Sequence, residues 1–271
     1  MSNHDCGVAL ITGASSGIGK ATAHMLQQAG YRVFGTSRKA VSDNLDGVTM
    51  LICDVTDELS VQSMVAEVLR QAGRIDLLVN NAGIGLLGGA EESSAEQAQA
   101  LFDVNVFGVL RVTNAVLPIM RQQKQGRIIN MSSILGLIPA PYSALYSSTK
   151  HAIEGYSESL DHELRTLGIR VVLVEPGFTR TAFEERIIQP DRTLAVYDSA
   201  RAAMEVLMRH GVGAGDAPEV VAHVVLKAAT AAVPKRRYTA GKLSTQVSFL
   251  RRFLPESIVD KNFRKFNKLP A

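Results

Sequence analysis

Tyr146 and Lys150 stand four residues apart in the run Tyr-Ser-Ser-Thr-Lys. On a helix that spacing puts both side chains on one face. A phenol at its ordinary pKa of ~10 supplies little phenolate at neutral pH, and a nearby ammonium favours the charged form. Lys150 is therefore expected to lower the Tyr146 pKa. The hydroxyl could then give a proton to a nascent alkoxide or, in the reverse sense, take one from an alcohol. Thirteen residues upstream, Ser133 closes the run Asn130-Met131-Ser132-Ser133 at the end of a strand-like segment. A hydroxyl there could hydrogen-bond a substrate oxygen and stabilise its developing charge. Side chains alternate along a strand, so Ser132 is expected to face away. By itself the Tyr-Lys pair proves little, because many helices contain it by chance.

A second constellation lies far upstream. Thr12-Gly13-Ala14-Ser15-Ser16-Gly17-Ile18-Gly19 follows a strand-like run. Its three glycines allow a tight turn, close approach of the backbone to a pyrophosphate, and close packing of the next helix. The free N–H groups and positive dipole end of that helix would attract phosphates. Gly13, Ser15, Ser16, Gly17, Ile18 and Gly19 are the expected contacts. Strand two ends in Thr36-Ser37-Arg38-Lys39, without the acidic residue that chelates the adenosine ribose of NAD. Ser37 and Arg38 could instead hold a 2′-phosphate, since a guanidinium offers planar paired donors and permanent charge. The competing reading is a solvated loop. Asp54, followed by Val55, lies just past the third strand, where its carboxylate could accept from an adenine amino group or simply cap a turn. NADP(H) is expected in preference to NAD(H).

These groups need a scaffold. Short β-branched runs at Val8 to Thr12, Arg32 to Thr36, Thr49 to Cys53, Leu77 to Asn80, Arg127 to Met131 and Ile169 to Val174 alternate with helix-patterned segments. The latter include Ile18 to Ala29, Ser60 to Gln71, Ala95 to Arg121 and Tyr146 to Leu167. Such alternation implies βαβ units and a parallel sheet covered on both faces. Gly30 and Gly168 fall where helices should stop. The expected fold is α/β: a single-domain, Rossmann-type, doubly wound parallel sheet flanked by helices, spanning 1–271 as one dinucleotide-binding catalytic domain. After Pro176-Gly177 the rhythm changes, and 178–216, rich in charge, aromatics and methionine, reads as a substrate lid. Pro218 can start another helix, roughly Glu219 to Ala231, and 242–271 reads as a basic amphipathic C-terminal extension.

Composition narrows the classes. A chain of 271 residues with 46% hydrophobic content fits one core. The net charge of +3 is small, yet Lys235 to Lys268 carries ten Lys/Arg against Glu256 and Asp260, so the basic excess is assigned to the tail. That tail lacks a recognised nucleic-acid motif, and no nucleic-acid partner is expected. Cys6 and Cys53 are too few for a disulfide framework and lack metal-cluster spacing, which points to a reducing cytosolic compartment and no metal. MSNHDCGVALITG is not a signal peptide, and no uninterrupted apolar run reaches ~18 residues. A cytoplasmic protein, peripheral to a membrane at most, is expected.

Across roughly Val8 to Thr181 the residues resemble the short-chain dehydrogenase/reductase family. Four motifs coincide in family order: TGASSGIG, Asn80-Asn81-Ala82-Gly83, Ser133 with YSSTK, and Pro176-Gly177 followed by Thr181. The resemblance implies an oxidoreductase acting on CH-OH groups, usually a homodimer or homotetramer. It adds Asn105 as a fourth catalytic member, which in such enzymes distorts a helix and holds a water linked to the lysine. It also implies that Asn81, Ala82 and Gly83 reach the nicotinamide-side ribose, that Lys150 bonds that ribose, and that Pro176, Gly177, Thr179 and Thr181 surround the carboxamide. One departure stands out: many NADP-binding members carry a basic residue just before the middle glycine, where this chain has Ser16.

The lid residues Phe178, Phe183, Ile187, Ile188, Leu194, Val196 and Tyr197, with Leu135, Leu137, Ile138 and Pro139 after the serine, could form an apolar pocket for a hydrophobic alcohol or ketone, or could be ordinary core. Tyr142 is a pocket-wall candidate. In the extension, Phe249, Leu250, Phe253, Leu254, Ile258, Phe263 and Phe266 alternate with Arg251, Arg252, Lys261, Arg264, Lys265 and Lys268. Such a helix could touch an anionic membrane, cover the substrate entrance, or form a subunit interface. Together with the Pro218-Glu219-Val220-Val221 helix it is similar to the steroid- and retinol-dehydrogenase-like branch. Other readings stay open: a cofactor-sensing or scaffold protein on the same fold, or an epimerase or dehydratase.

Overall fold

The computed structural model describes residues 6–40, 44–183 and 186–266. Lys268 and the rest of 267–271 lie outside them, as do 184–185 of the lid. The first half alternates strand and helix: β1 (Val8–Ile11), α1 (Gly17–Gln28), β2 (Arg32–Ser37), β3 (Asn44–Leu45), β4 (Val48–Ile52), α2 (Glu58–Ala72), β5 (Leu77–Asn80) and β6 (Gly85–Leu86). Then come α3 (Ala95–Phe102), α4 (Gly108–Gln123), β7 (Gly126–Met131), α5 (Ala144–Leu164) and β8 (Ile169–Pro176). The C-terminal part holds β9 (Ile187–Ile188), α6 (Asp198–Gly213), α7 (Pro218–Thr230), β10 (Arg237–Ala240), α8 (Lys242–Phe253) and α9 (Glu256–Phe266).

Seven strands run parallel in the order β4-β2-β1-β5-β7-β8-β10, with β3 antiparallel on the β4 edge. Strand residues alternate between faces, and the sequence pairs apolar neighbours accordingly. Leu10, Leu78, Ile128 and Val171 pack on one side with Val68, Val112, Val116 and Leu160 from α2, α4 and α5. Ile11, Leu77, Ile129 and Val172 pack on the other with Leu26 of α1 and Val221 and Val225 of α7. Gly30 and Gly168 adopt φ +92 and +76 beyond their helices, as helix-stopping glycines do. The helix through 95–123 is long and apolar enough to cross a membrane, but Val112, Val116 and Met120 are fully buried against the sheet, so it is a core helix.

The chain reverses at β1, building outward to β4 on one side and then from β5 to β10 on the other. Ligands of open α/β sheets sit outside the carboxyl ends of the strands at such a point. The turn after β1, the Asn81-Ala82-Gly83 segment after β5, Ser133 after β7 and Gly177 after β8 all converge there. β10 was not expected from the sequence. It takes Arg237 out of the supposed basic tail and into the sheet, where it pairs with Glu154, Glu158 and Glu175.

Candidate active site

The turn after β1 is built for a bulky anion. A Cβ on Gly19 would stand 2.2 Å from the Gly13 carbonyl oxygen, so only glycine lets the helix start this close to the turn. Ser16 is the N-cap of α1 but makes no side-chain cap bond. The Thr12 hydroxyl accepts from the backbone N–H of Asn81 and Ala82 at 3.0 Å each, and Asn81 Nδ2 donates to the carbonyls of Thr12 and Gly13. One cradle thereby joins the first and second motifs. A Cβ on Gly17 would meet Thr181 at 3.2 Å, so the start of the lid lies over the same turn. These glycines, the uncapped helix start and the adjoining cavity fit a dinucleotide.

At the end of β2, Arg38 acts electrostatically on Asp54 from across the β4 edge and helps hold that carboxyl below its usual range, after the larger backbone hydrogen bond from Thr56. Asp54 Oδ1 accepts from Thr56 N at 2.9 Å and Thr56 Oγ1 at 2.8 Å, the turn-capping geometry that competes with adenine binding. Ser37 Oγ accepts from Lys39 N at 3.4 Å. Val55 is buried against Gly108. Ser37, Arg38, Asp54 and Val55 stand together at one edge, apart from the walls of the main cavity.

The candidate catalytic residues gather as the spacing requires. The Ser133 hydroxyl stands beside the Tyr146 phenol, close enough to act on it, and Lys150 Nζ sits 5.6 Å from the Tyr146 ring centroid while donating to the Met131 carbonyl at 3.0 Å. The expected lowering of the phenol does not occur. Burial pushes Tyr146 up to about 12, against a smaller opposing effect of Ser133. Burial likewise pulls Lys150 down to about 8, opposed by the nearby Glu154 carboxylate. Both shifts disfavour charge in a dry site. Ser132 does turn away, its hydroxyl buried beside Glu154.

Asn105 sits in a π-helical turn, Asp103–Phe107, between α3 and α4, and is almost wholly buried. Its Oδ1 accepts from Ile84 N and its Nδ2 donates to Ile84 O, both at 2.9 Å, and to Thr149 Oγ1 at 3.2 Å. It thus ties the stretch after Gly83 to the residue preceding Lys150. The distortion implied by the resemblance is present.

A cavity of about 490 Å³ opens from this point, within the range of small-molecule sites. Gly13, Ser16 to Gly19, Asn81 to Gly83, Ser133, Tyr146, Lys150, Pro176, Gly177, Thr179 and Thr181 line its polar end. Leu135, Ile138, Phe178, Phe183, Met204 and Met208 line the other, and Val247, Leu250 and Phe263 roof it. Leu137, Pro139, Ile187, Ile188, Leu194, Val196 and Tyr197 are not among the walls. Ile188, Leu194 and Val196 are exposed. Ile187–Ile188 instead pair with β6, which anchors the lid. Tyr142 is no pocket wall either: its ring packs edge-on against Tyr197 at 6.1 Å, on a backbone strained to φ +59. A second anchor is the fully buried Glu92, which accepts from Gly89 N, Leu194 N and Arg201.

Two features escaped the sequence reading. Arg186 of the lid donates to Ser16 Oγ at 3.0 Å, so a guanidinium stands beside the position where a basic residue was missing. No local signal links residues 170 apart. The other is a carboxylate cluster behind Lys150, formed by Glu154, Glu158 and Glu175 around Arg237. Glu175 is fully buried with neither carboxyl oxygen hydrogen-bonded, and burial with the Glu154 charge pushes it up to about 8.

Known proteins carry the same architecture. The "3-ketodihydrosphingosine reductase" of Bacteroides thetaiotaomicron is 47% identical over 178 residues, 66% of each chain. A short-chain dehydrogenase from Streptomyces avermitilis superposes with TM-score 0.84 at 31% identity, covering 99% of this chain and 98% of its own. A short chain dehydrogenase/reductase from Burkholderia phymatum, solved in complex with NAD, gives 0.82 at 28%, covering 96% and 97%. The family model "short chain dehydrogenase" matches residues 7–193. With the phosphate turn, the Ser133-Tyr146-Lys150 cluster and the seven parallel strands in place, this chain belongs to the short-chain dehydrogenase family and is an oxidoreductase of that type.

Proposed function

We propose that the protein interconverts a ketone or aldehyde and the corresponding alcohol on a hydrophobic substrate, using NADP(H). The observation that carries this reading is that Ser133, Tyr146 and Lys150 stand together where the glycine-rich cradle meets an apolar cavity. The chemistry a nicotinamide dinucleotide supplies when bound there is hydride transfer. Gly13 to Gly19, Asn81 to Gly83, Lys150, Pro176, Gly177, Thr179 and Thr181 would hold it. Ser133 orients the substrate oxygen and stabilises its negative charge, and Tyr146 gives that oxygen its proton. Lys150 restores the phenol's proton, and Asn105 keeps Thr149 and therefore Lys150 in register. The high Tyr146 pKa keeps the acid protonated at neutral pH, which suits reduction.

The preference for NADP(H) is supported by Arg38 at the β2 end and by the absence of an acidic residue from Thr36-Ser37-Arg38-Lys39. Apolar cavity walls, and a relative named "3-ketodihydrosphingosine reductase", support a lipid-like carbonyl. We further place the protein in a reducing, cytoplasmic setting, in keeping with two unpaired cysteines, and as a homodimer or homotetramer in keeping with its family. The test is consumption of NADPH across long-chain keto compounds, steroids, retinoids and small aldehydes. Tyr146→Phe should lower turnover by about 10²-fold or more while dinucleotide affinity is kept. An active Tyr146→Phe enzyme would refute the assigned acid.

A further inference from the structure

On its C-terminal side the cavity is walled mostly by apolar residues of α8 and α9, with Gln246, Arg251 and Asn262 among them. Leu250 and Leu254 line it and are at the same time 45% and 36% exposed, so its wall runs out onto the outer surface of α8. Phe249 and Phe253 continue that surface, 62% and 63% exposed, with ring centroids 4.7 Å apart. Ile258 extends it onto α9. Meanwhile Val247 on α8 and Val259 and Phe263 on α9 face inward to the cavity. One apolar strip therefore connects the outer surface with the place where Tyr146 and Ser133 stand.

The strip is flanked by a net excess of positive charge. Lys242, Arg251, Arg252, Lys261, Arg264 and Lys265 are exposed on these two helices, against Glu256 and Asp260. Arg252 lies over the Phe253 ring at 5.7 Å, so cation and aromatic point to the same side. Contiguous exposed apolar surface on a soluble protein marks a contact site. Aromatic side chains flanked by Lys and Arg suit the boundary between anionic headgroups and acyl chains. A second copy docked symmetrically on this face would bring two surfaces with the same positive excess, six cations to two carboxylates on each, against each other. A single-stranded nucleic acid would match the charge and the phenyl rings but leaves the exposed aliphatic Leu250, Leu254 and Ile258 without an apolar partner.

We propose that α8 and α9 dock on an anionic lipid surface, which sets the mouth of the cavity against the bilayer. A lipophilic carbonyl could then enter without crossing water; this part rests on the hydrophobic-substrate reading. The test is cosedimentation of the full-length protein with vesicles of phosphatidylcholine mixed with phosphatidylglycerol, beside vesicles of phosphatidylcholine alone. The mixed vesicles should bind at least about tenfold more tightly, and added salt should weaken that binding. Arg252→Glu combined with Lys261→Glu, and separately Phe249→Ser combined with Phe253→Ser, should each reduce vesicle binding about tenfold or more. None of these four side chains lines the cavity, so turnover of a short, water-soluble carbonyl should not change, which also shows that the variants fold. Absence of binding to the mixed vesicles, or equal binding by parent and variants, overturns the proposal. So does light scattering in which the Phe249/Phe253 variant falls from dimer to monomer, because the face would then cover a second copy. Vesicle binding that follows the variants in a protein with no turnover at all supports the docking and refutes the reductase reading instead.

Discussion

Burial outweighs charge at Tyr146. Four-residue spacing brings Lys150 within reach, yet desolvation keeps the phenol protonated and pulls the ammonium down to about 8. Lys150 is then the group that titrates near neutrality. As pH rises through about 8 its charge is lost while Tyr146 keeps its proton, so kcat/KM for carbonyl reduction should fall with a single ionisation near there. A pH profile that stays flat through that region contradicts the assignment. Arg38 belongs to the same scale. Replacing it by Ala removes a charge-assisted pair of hydrogen bonds of about 1.5–3 kcal/mol, so NADPH affinity should drop about 10- to 100-fold. NADH affinity, followed by nucleotide fluorescence, should hardly move. Equal losses for both nucleotides discard the 2′-phosphate role.

At the scale of elements, β10, α5 and β8 place four ionisable side chains behind Lys150, where the sequence alone shows only a charged tail, a helix and a strand. The run Arg237 to Ala240 is short and polar, and its partner Glu175 lies 62 positions earlier, so neither periodicity nor local motif marks it. Packing against β8 makes it a strand. Glu175 has a folded pKa above its usual 4.5, so its favourable contribution is complete below about pH 4.5 and is lost as pH rises through about 8. Glu175→Gln keeps the shape and cannot ionise. Above about pH 8 its melting temperature should exceed that of the parent by about 2–4 °C, as loss of ~1 kcal/mol of charge penalty implies for a chain of this size. Identical melting curves at every pH would show that Glu175 is already neutral or better solvated than its burial implies. The π-helical turn around Asn105 is the converse case: family resemblance pointed to it, and the hydrogen bonds to Ile84 and Thr149 give it a physical role.

For the molecule as a whole, the apolar end of the cavity is a tertiary object assembled from distant segments: the turn after Ser133, residues 178–183 and α6 of the lid, and α8 with α9. Phe263→Ser removes one wall without touching the cradle or the reacting hydroxyls. Burial of a phenyl ring against a ligand is worth ~1.5–3 kcal/mol, so KM for a long-chain carbonyl should rise about tenfold or more. KM for a small aldehyde should change little; parallel rises for both would mean the roof serves folding and not substrate contact. The sequence by itself determined the parallel α/β sheet, through strand runs whose neighbours face opposite sides, and the proximity of Tyr146 to Lys150 and of Gly13, Gly17 and Gly19 to one another, through spacings that one helix face or one turn enforces. Tertiary structure alone decided the pKa values, which depend on how much water reaches Tyr146 and Lys150. It also decided the pairing of Arg186 with Ser16 and the split of the basic tail between sheet and pocket roof. Those outcomes depend on contacts between residues far apart in the chain, for which local pattern carries no signal.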